Sequence, residues 1–337
     1  MTDVSRIAGV STATVSRVLN NPDIVDEKTR RDVRKVINLL GYRPNVVARG
    51  LASRSSRTIG VVVNRFSTDY YGQMVDGVEQ AMRERNFNTI AESSRQSKSG
   101  EMAALMSLID RQCDAVVLHS DATPDDELAA LMKAHPQIIV MNRQLKGYEH
   151  RCVYLDSVHG GALAAKALHD AGHRHFASVL GPPCFHQSTD RLAGFSNELK
   201  NLGHEPGCHH LLYGDFGPES GYRAMKQIIE QLPHVTGVFF HNDEMALGAL
   251  DACYDSGKQV PHDYSIIGFD DLKVARHCHP KLTTVRQPLN EIGIAAGRLA
   301  HAMVCNKNTE DAQRVFRPEL ILRGSVCAAP HCSVSMA

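Results

Sequence analysis

Apolar positions follow two different periods along the chain. Through residues 1–44 they recur at helical spacing in short stretches, Val4 and Ile7, then Val15, Val18 and Leu19, then Val33, Val36, Ile37 and Leu40. This spacing predicts three small helices over about 3–8, 12–19 and 27–40 with those side chains inward. From residue 59 short apolar runs take over, at 59–63, 89–91, 115–118, 138–141, 153–155, 177–180, 237–240 and 265–268. They alternate with amphipathic stretches at 71–85, 100–111, 160–171, 187–202, 219–231 and 244–256. Runs without polar alternation are what strands buried on both faces of a parallel sheet require. Eight strands exceed one nucleotide-binding unit, so the body is expected to form two doubly wound α/β lobes, with a ligand between them at the carboxyl ends of the strands.

Charge sharpens the division. The formal net charge is zero, yet residues 1–57 carry eleven Lys/Arg against five Asp/Glu, which leaves a +6 head on a −6 body. A basic head of short helices points to a nucleic acid. Gly9-Val10-Ser11 supplies a turn between the first two predicted helices, the spacing of a helix-turn-helix. Thr12, Ala13 and Ser16 then stand on the exposed N-terminal face of the second helix, with Arg17 following, where polar side chains and a guanidinium can meet base edges, and Thr14 is a further DNA-binding candidate. Lys28, Arg30, Arg31, Arg34 and Lys35 on the third helix are expected to hold phosphates. The segment 45–53 has a weak helical pattern, is too short to be stable alone, and could fold on binding.

The run Ala8-Gly9-Val10-Ser11, then Ala13-Thr14-Val15-Ser16-Arg17-Val18-Leu19-Asn20, with Gly41-Tyr42-Arg43-Pro44-Asn45 and Ala48-Arg49-Gly50-Leu51, resembles the LacI/GalR family of bacterial transcriptional repressors. The likeness continues through Arg191-Leu192-Ala193-Gly194-Phe195, Asn242-Asp243-Glu244-Met245-Ala246 and Ile267-Gly268-Phe269-Asp270-Asp271. It implies an all-α helix-turn-helix domain (1–44), a hinge helix and linker (45–57), and a two-lobed, periplasmic-binding-protein-like effector and dimerisation domain (58–330). The lobes are expected at about 58–156 plus 286–310 and about 157–285 plus 311–325. It further implies a cytoplasmic, nucleoid-associated homodimer on a near-palindromic double-stranded operator. Thr12, Ala13 and Arg17 would take the base-reading positions. Asn20, Asn45 and Ala48 would add DNA contacts, and Leu51 would be a minor-groove wedge at a kinked step.

At the predicted strand ends stand Tyr70-Tyr71, Asn142-Arg143, Arg191, Phe216, Asn242-Asp243 and Asp270-Asp271. Planar rings together with amide, carboxylate and guanidinium groups suit a sugar, with its apolar ring faces and its belt of hydroxyls. Helix capping is the competing role for Asn242 and Asp270, and a structural role is favoured for Asp243 and Asp271. By the family resemblance Tyr71, Asn142, Arg191, Phe216, Asn242, Asp270 and Gln287 line an effector pocket, with His119 and Gln187 as weaker candidates. The stretches 140–143 and 147–152 resemble the galactose repressor branch, which makes galactose the leading inducer. Gln287, where that branch usually has an aromatic residue, leaves room for another hexose, a β-glycoside or a corepressor.

Other chemistry finds little support. Nine cysteines at irregular intervals do not form a secreted disulfide framework. His277-Cys278-His279 and Cys208-His209-His210 place neighbouring residues on one segment, where they rarely converge on a metal. No cofactor is expected. No nucleophile elbow, Walker loop or GxGxxG is present, which argues against an enzyme. A transport-type sugar-binding protein would share the lobes but carry a signal peptide in place of the basic head. No apolar stretch approaches the length of a membrane helix.

Overall fold

The computed structural model describes residues 1–42, 55–183 and 185–329. The chain divides into two compact units, residues 1–56 and 57–337.

In the first unit α1 (Thr2–Ala8), α2 (Thr12–Asn20) and α3 (Glu27–Leu39) pack around Val4, Val15, Val18 and Val33. Local chemistry sets each boundary. Gly9 closes α1 at φ 64°, a left-handed conformation that glycine adopts without strain. The Ser11 hydroxyl accepts from the Thr14 amide at the start of α2, and the Asp26 carboxylate accepts from Thr29 at the start of α3. Two residues expected inside are not. Ile7 is 50% exposed and Leu40 is 42% exposed. On a helix of only seven residues the inward line runs through Val4 and Ala8, and Leu40 lies just past the end of α3.

The second unit holds two six-stranded sheets. The first runs β11-β5-β4-β3-β1-β2, from β1 (Thr58–Val63), β2 (Asn88–Ser93), β3 (Ala115–His119), β4 (Ile138–Met141), β5 (Cys152–Leu155) and β11 (Val315–Phe316). The second runs β12-β10-β9-β8-β6-β7, from β6 (Phe176–Leu180), β7 (His209–Tyr213), β8 (Gly237–Phe240), β9 (Ser265–Asp270), β10 (Thr283–Arg286) and β12 (Glu319–Ile321). All pairings are parallel except the antiparallel β10–β12. Every residue of β3, β4, β6, β8 and β9 is buried, as their apolar runs predict.

Helices α4 (Asp69–Arg83), α5 (Lys98–Asp110), α6 (Asp125–Ala134) and α12 (Leu289–Val304) belong to the first lobe. The second lobe carries α7 (Ser157–Asp170), α8 (His186–Asn201), α9 (Pro218–Gln231), α10 (Asp243–Asp255) and the short α11 (Lys273–His277). The chain passes between lobes three times, after β5, after β10 and after β11. The last passage differs from expectation, because β11 pairs with β5 and takes residues through Phe316 into the first lobe. A two-residue strand leaves no periodic signal to read.

Three helix pairs, α4 with α12, α7 with α8 and α9 with α10, cross where their backbones nearly touch. A Cβ on Gly77 would meet the Asn290 carbonyl oxygen at 2.1 Å, and one on Gly293 would meet that of Met74 at 2.2 Å. Gly161 faces the Arg191 carbonyl at 2.0 Å, and Gly221 faces that of Met245 at 2.0 Å. Only glycine allows such approach.

Two histidines lie under the second lobe's sheet. His173 pairs with Thr236 Oγ1 at 2.8 Å, and His209 pairs with Ser178 Oγ at 2.9 Å. Burial pushes both imidazoles down to about 4. The folded state therefore favours the neutral rings, a stabilisation fully present above the ordinary value near 6.5 and lost as pH falls toward 4. Each histidine contributes at most about 1.4 kcal/mol per pH unit across that window. Thermal melting between pH 7 and 4.5 should show a falling Tm, and His173→Gln should flatten the slope. A Tm unchanged across the window would refute this account.

Candidate functional site

On the head, α2 presents Thr12, Ala13 and Arg17 as exposed side chains, while Val15 and Val18 are buried on the opposite side. Thr14 and Ser16 are half-buried, and the Thr14 hydroxyl pairs with that of Ser11 at 2.9 Å, so it serves the cap. Arg31 pairs with Glu27 at 2.9 Å and Arg30 approaches Asp23 at 3.9 Å. Exposed pairs of this kind exchange readily for phosphates. The Asn20 side chain and Asn45, Ala48 and Leu51 lie outside the described residues.

In the second unit a cavity of about 480 Å³ opens between the lobes at the carboxyl ends of the strands. Tyr71, Arg191, Phe216, Asn242 and Asp270 line it, as do His119 and Gln187. Asn142 and Gln287 do not. Asn142 faces a neighbouring cavity, donates through Nδ2 to the Tyr70 hydroxyl, and accepts at its carbonyl from Gln187 Nε2 at 2.9 Å. Gln287 stands behind Asp270 and donates to Asp270 Oδ1 at 2.5 Å.

Backbone strain aims several of these groups. Asn142 (φ 62°), Phe216 (φ 67°) and Asp270 (φ 113°) adopt left-handed conformations where β4, β9 and the loop before α9 end. The Phe216 ring lies flat over Gly181, where a Cβ would come within 2.0 Å of it, and meets Phe185 edge-on at 5.3 Å between centroids. Across the cavity Tyr70 and Tyr71 cross at 88° with centroids 4.8 Å apart, and Tyr71 meets His119 at 5.2 Å.

Arg191 is 2% exposed. Its guanidinium stacks on Phe269 at 3.7 Å, donates to the His241 carbonyl and stands 3.9 Å from Asp270. Burial weakens its hold on the proton, while Asp270 opposes that shift. Burial also raises the Asp270 carboxyl to about 7, against the pull of Arg191 and Gln287. On the first lobe His119 Nδ1 lies 3.2 Å from Asp121. Burial alone would lower the His119 ring, but the Asp121 carboxylate outweighs it and raises the ring above its usual range, while Asp121 is held below its own.

Asn242 caps a helix, as expected, and also lines the cavity. Its Oδ1 caps α10 by accepting from Met245 at 3.0 Å, and its Nδ2 donates to the Phe216 carbonyl at 2.9 Å, which fixes that ring's loop. Asp270 is no cap, since Leu272 holds that place on α11. Asp243 and Asp271 are structural. Asp243 accepts from the Leu272 amide at 2.8 Å and pairs with Thr284 Oγ1 at 2.6 Å, and Asp271 accepts from Arg276 and Arg323.

Sequence reasoning missed Asp121, Phe185, Arg65, Glu219 and Glu244, which also line the cavity. None ends a readable apolar run, and only the fold brings them together. The histidine–cysteine stretches do not gather ligands. His209 and His210 point to opposite sides of β7, toward Ser178 and His234, and the Cys278 thiol donates to backbone carbonyls. Among the described residues no helix is long and apolar enough to cross a membrane.

Residues 1–45 match the model of bacterial regulatory proteins of the lacI family, and residues 165–326 match that of the periplasmic binding protein-like domain. The chain is 37% identical over 325 residues to the HTH-type transcriptional regulator GalR of Escherichia coli (strain K12), covering 96% of this chain and 94% of that one. It superposes on the lac repressor dimer bound to operator and the anti-inducer ONPF with a TM-score of 0.87 at 25% identity, covering 97% and 98% of the two chains. It also superposes on the transcriptional regulator CelR in its cellobiose complex with a TM-score of 0.72 at 32% identity, covering 96% and 98%. An exposed second helix on the basic head, two parallel-sheet lobes around a polar and aromatic cavity, and likeness over nearly the full length agree: the chain belongs to the lacI family of bacterial regulatory proteins and is a DNA-binding transcriptional repressor, not an enzyme.

Proposed function

We propose that this repressor acts as a cytoplasmic homodimer on a near-palindromic operator and is released by a neutral hexose of the galactose type. The observation that carries the sugar assignment is the cavity's pairing of aromatic faces, Phe216 with Phe185 and Tyr70 with Tyr71, with the polar groups of Arg191, Asn242, Asp270 and Asp121. Rings cover a pyranose face while forked donors and carboxylates take its hydroxyls. Five carboxylates (Asp121, Asp215, Glu219, Glu244 and Asp270) line the cavity against Arg65, Arg191 and His119. That balance disfavours a phosphorylated effector.

On the DNA side Thr12, Ala13 and Arg17 read bases, Thr14, Ser16 and Asn20 assist, and Asn45, Ala48 and Leu51 form the hinge contacts. A cellobiose complex of a relative favours one second reading, a β-glycoside effector. Titrating a palindromic duplex with the full chain, with and without D-galactose, D-glucose and cellobiose and at two salt concentrations, tests both. Galactose should weaken operator binding at least about tenfold, a loss of about 1.4 kcal/mol. Release by cellobiose alone would transfer the assignment to the β-glycoside, and release by none of the three would refute the sugar reading.

A further inference from the structure

Glu101, in the first turn of α5, does not line the cavity and is only 2% exposed. Five donors converge on its carboxylate. Oε1 accepts from the amides of Asp121 and Ala122, both at 2.8 Å. Oε2 accepts from Ser120 Oγ at 2.7 Å, the Thr123 amide at 3.1 Å and Thr123 Oγ1 at 2.6 Å. All five belong to residues 120–123, the segment between β3 and α6. On its other side Arg143 donates to the carbonyls of Ser120 at 3.2 Å and Thr123 at 2.8 Å, and to the Asp125 carboxylate.

A segment reading Ser-Asp-Ala-Thr has no apolar side chain large enough to anchor it. Its shape is set by one buried anion and one buried cation. A carboxylate suits the place because three N–H groups and two hydroxyls need acceptors, and charge-assisted bonds are the stronger kind. The loop delivers Asp121 to the cavity wall. There Asp121 accepts from Asn64 Nδ2 at 2.7 Å, and the same amide reaches the Tyr71 hydroxyl at 3.0 Å. Asn64 is fixed in turn by Ser94, whose hydroxyl donates to Asn64 Oδ1 at 2.8 Å.

We propose that Glu101 is a positioning residue for effector recognition: it holds the 120–123 loop so that Asp121 and Tyr71, tied together from behind by Asn64, form a preorganised wall of the sugar site, and it sets affinity without touching the sugar. The proposal rests on the sugar-effector reading above. Glu101→Gln keeps the shape but replaces one acceptor oxygen with an amino group that faces other donors, so the loop loosens.

The test uses the full chain in two arms. In the first, which needs no sugar, hydrogen exchange at the amides of Asp121, Ala122 and Thr123 should accelerate about a hundredfold in Glu101→Gln. In the second, calorimetry with D-galactose should show at least about a tenfold loss of affinity, with sugar-free operator binding unchanged. Because Glu101 acts through Asp121, the Glu101→Gln/Asp121→Asn double variant should bind galactose no more weakly than Asp121→Asn alone. Ser120→Ala, which removes a single hydroxyl donor, should accelerate the same amides to a lesser degree and serves if Glu101→Gln does not fold. Unchanged exchange, or additive losses in the double variant, overturns the proposal. If the original chain binds none of the sugars, the sugar reading fails, and unprotected loop amides in the variant still uphold the anchoring by Glu101.

Discussion

Replacing Arg191 with alanine should abolish the sugar response while the head still binds operator. The guanidinium holds the centre of the cavity wall, stacked on Phe269, bonded to the His241 carbonyl and close to Asp270. Two charge-assisted hydrogen bonds to a sugar contribute about 1.5–3 kcal/mol each, so the affinity should fall at least about a hundredfold. Stability should fall through the lost packing of the guanidinium on Phe269, while Asp270, whose carboxyl burial already raises to about 7, takes up a proton in place of its cation. Arg191→Ala/Asp270→Asn should therefore be about as stable as Arg191→Ala and bind no sugar. Lysine should not restore binding, since it offers neither the planar stack nor the fork. Calorimetry with the inducing sugar and operator titration decide the matter, and release of Arg191→Ala at the sugar concentration that releases the original chain would remove Arg191 from the site.

Gly194→Val should damage the molecule through the same helix, about one turn further along. A Cβ at residue 194 would stand 1.8 Å from the Val158 carbonyl oxygen, a backbone atom that can yield only if α7 and α8 separate. Overpacking of this kind costs about 1–3 kcal/mol and more when the backbone has to move. Gly161 meets the Arg191 carbonyl at the same crossing, so any separation shifts the helix that carries Arg191. Lowered Tm and weakened sugar binding should therefore appear together. Gly248→Val, which would drive into the Pro218 carbonyl at 1.8 Å, should also lower Tm and weaken sugar binding, because Phe216, Glu219, Asn242 and Glu244 line the cavity at the start of that helix pair. Sugar affinity unchanged in Gly194→Val despite a lowered Tm would refute the coupling.

Most of the strands legible in the sequence are those buried on both faces; β2, expected from the run at 89–91, is instead a partly exposed edge strand. Apolar runs such as Gly237-Val238-Phe239-Phe240 can satisfy their surroundings only inside a parallel sheet. The edge strand β7 begins with two histidines and is half exposed, so no apolar run marks it. β10 was hidden for a different reason. Thr283 and Thr284 are fully buried, and their hydroxyls are satisfied by the Arg323 amide and Asp243, partners 40 and 41 residues away. Polar residues in such a strand read as loop until those partners are known. The cavity follows the same logic. Arg191, Phe216 and Asp270 were found because they belong to motifs or strand ends, whereas Asp121 enters the cavity only through a loop held by Glu101.

The sequence by itself determined the α/β alternation, the basic three-helix head with its exposed reading helix, and the residue types a sugar site needs. These depend on local periodicity, caps and charge, which a few neighbouring residues specify. Tertiary structure alone decided that Asn142 and Gln287 support the cavity without lining it, that β11 returns to the first lobe, and that a buried glutamate gathers the loop carrying Asp121 to the cavity. Each of those outcomes depends on which distant groups meet in a water-poor interior, where a hydrogen bond or ion pair is strong because no solvent competes for it.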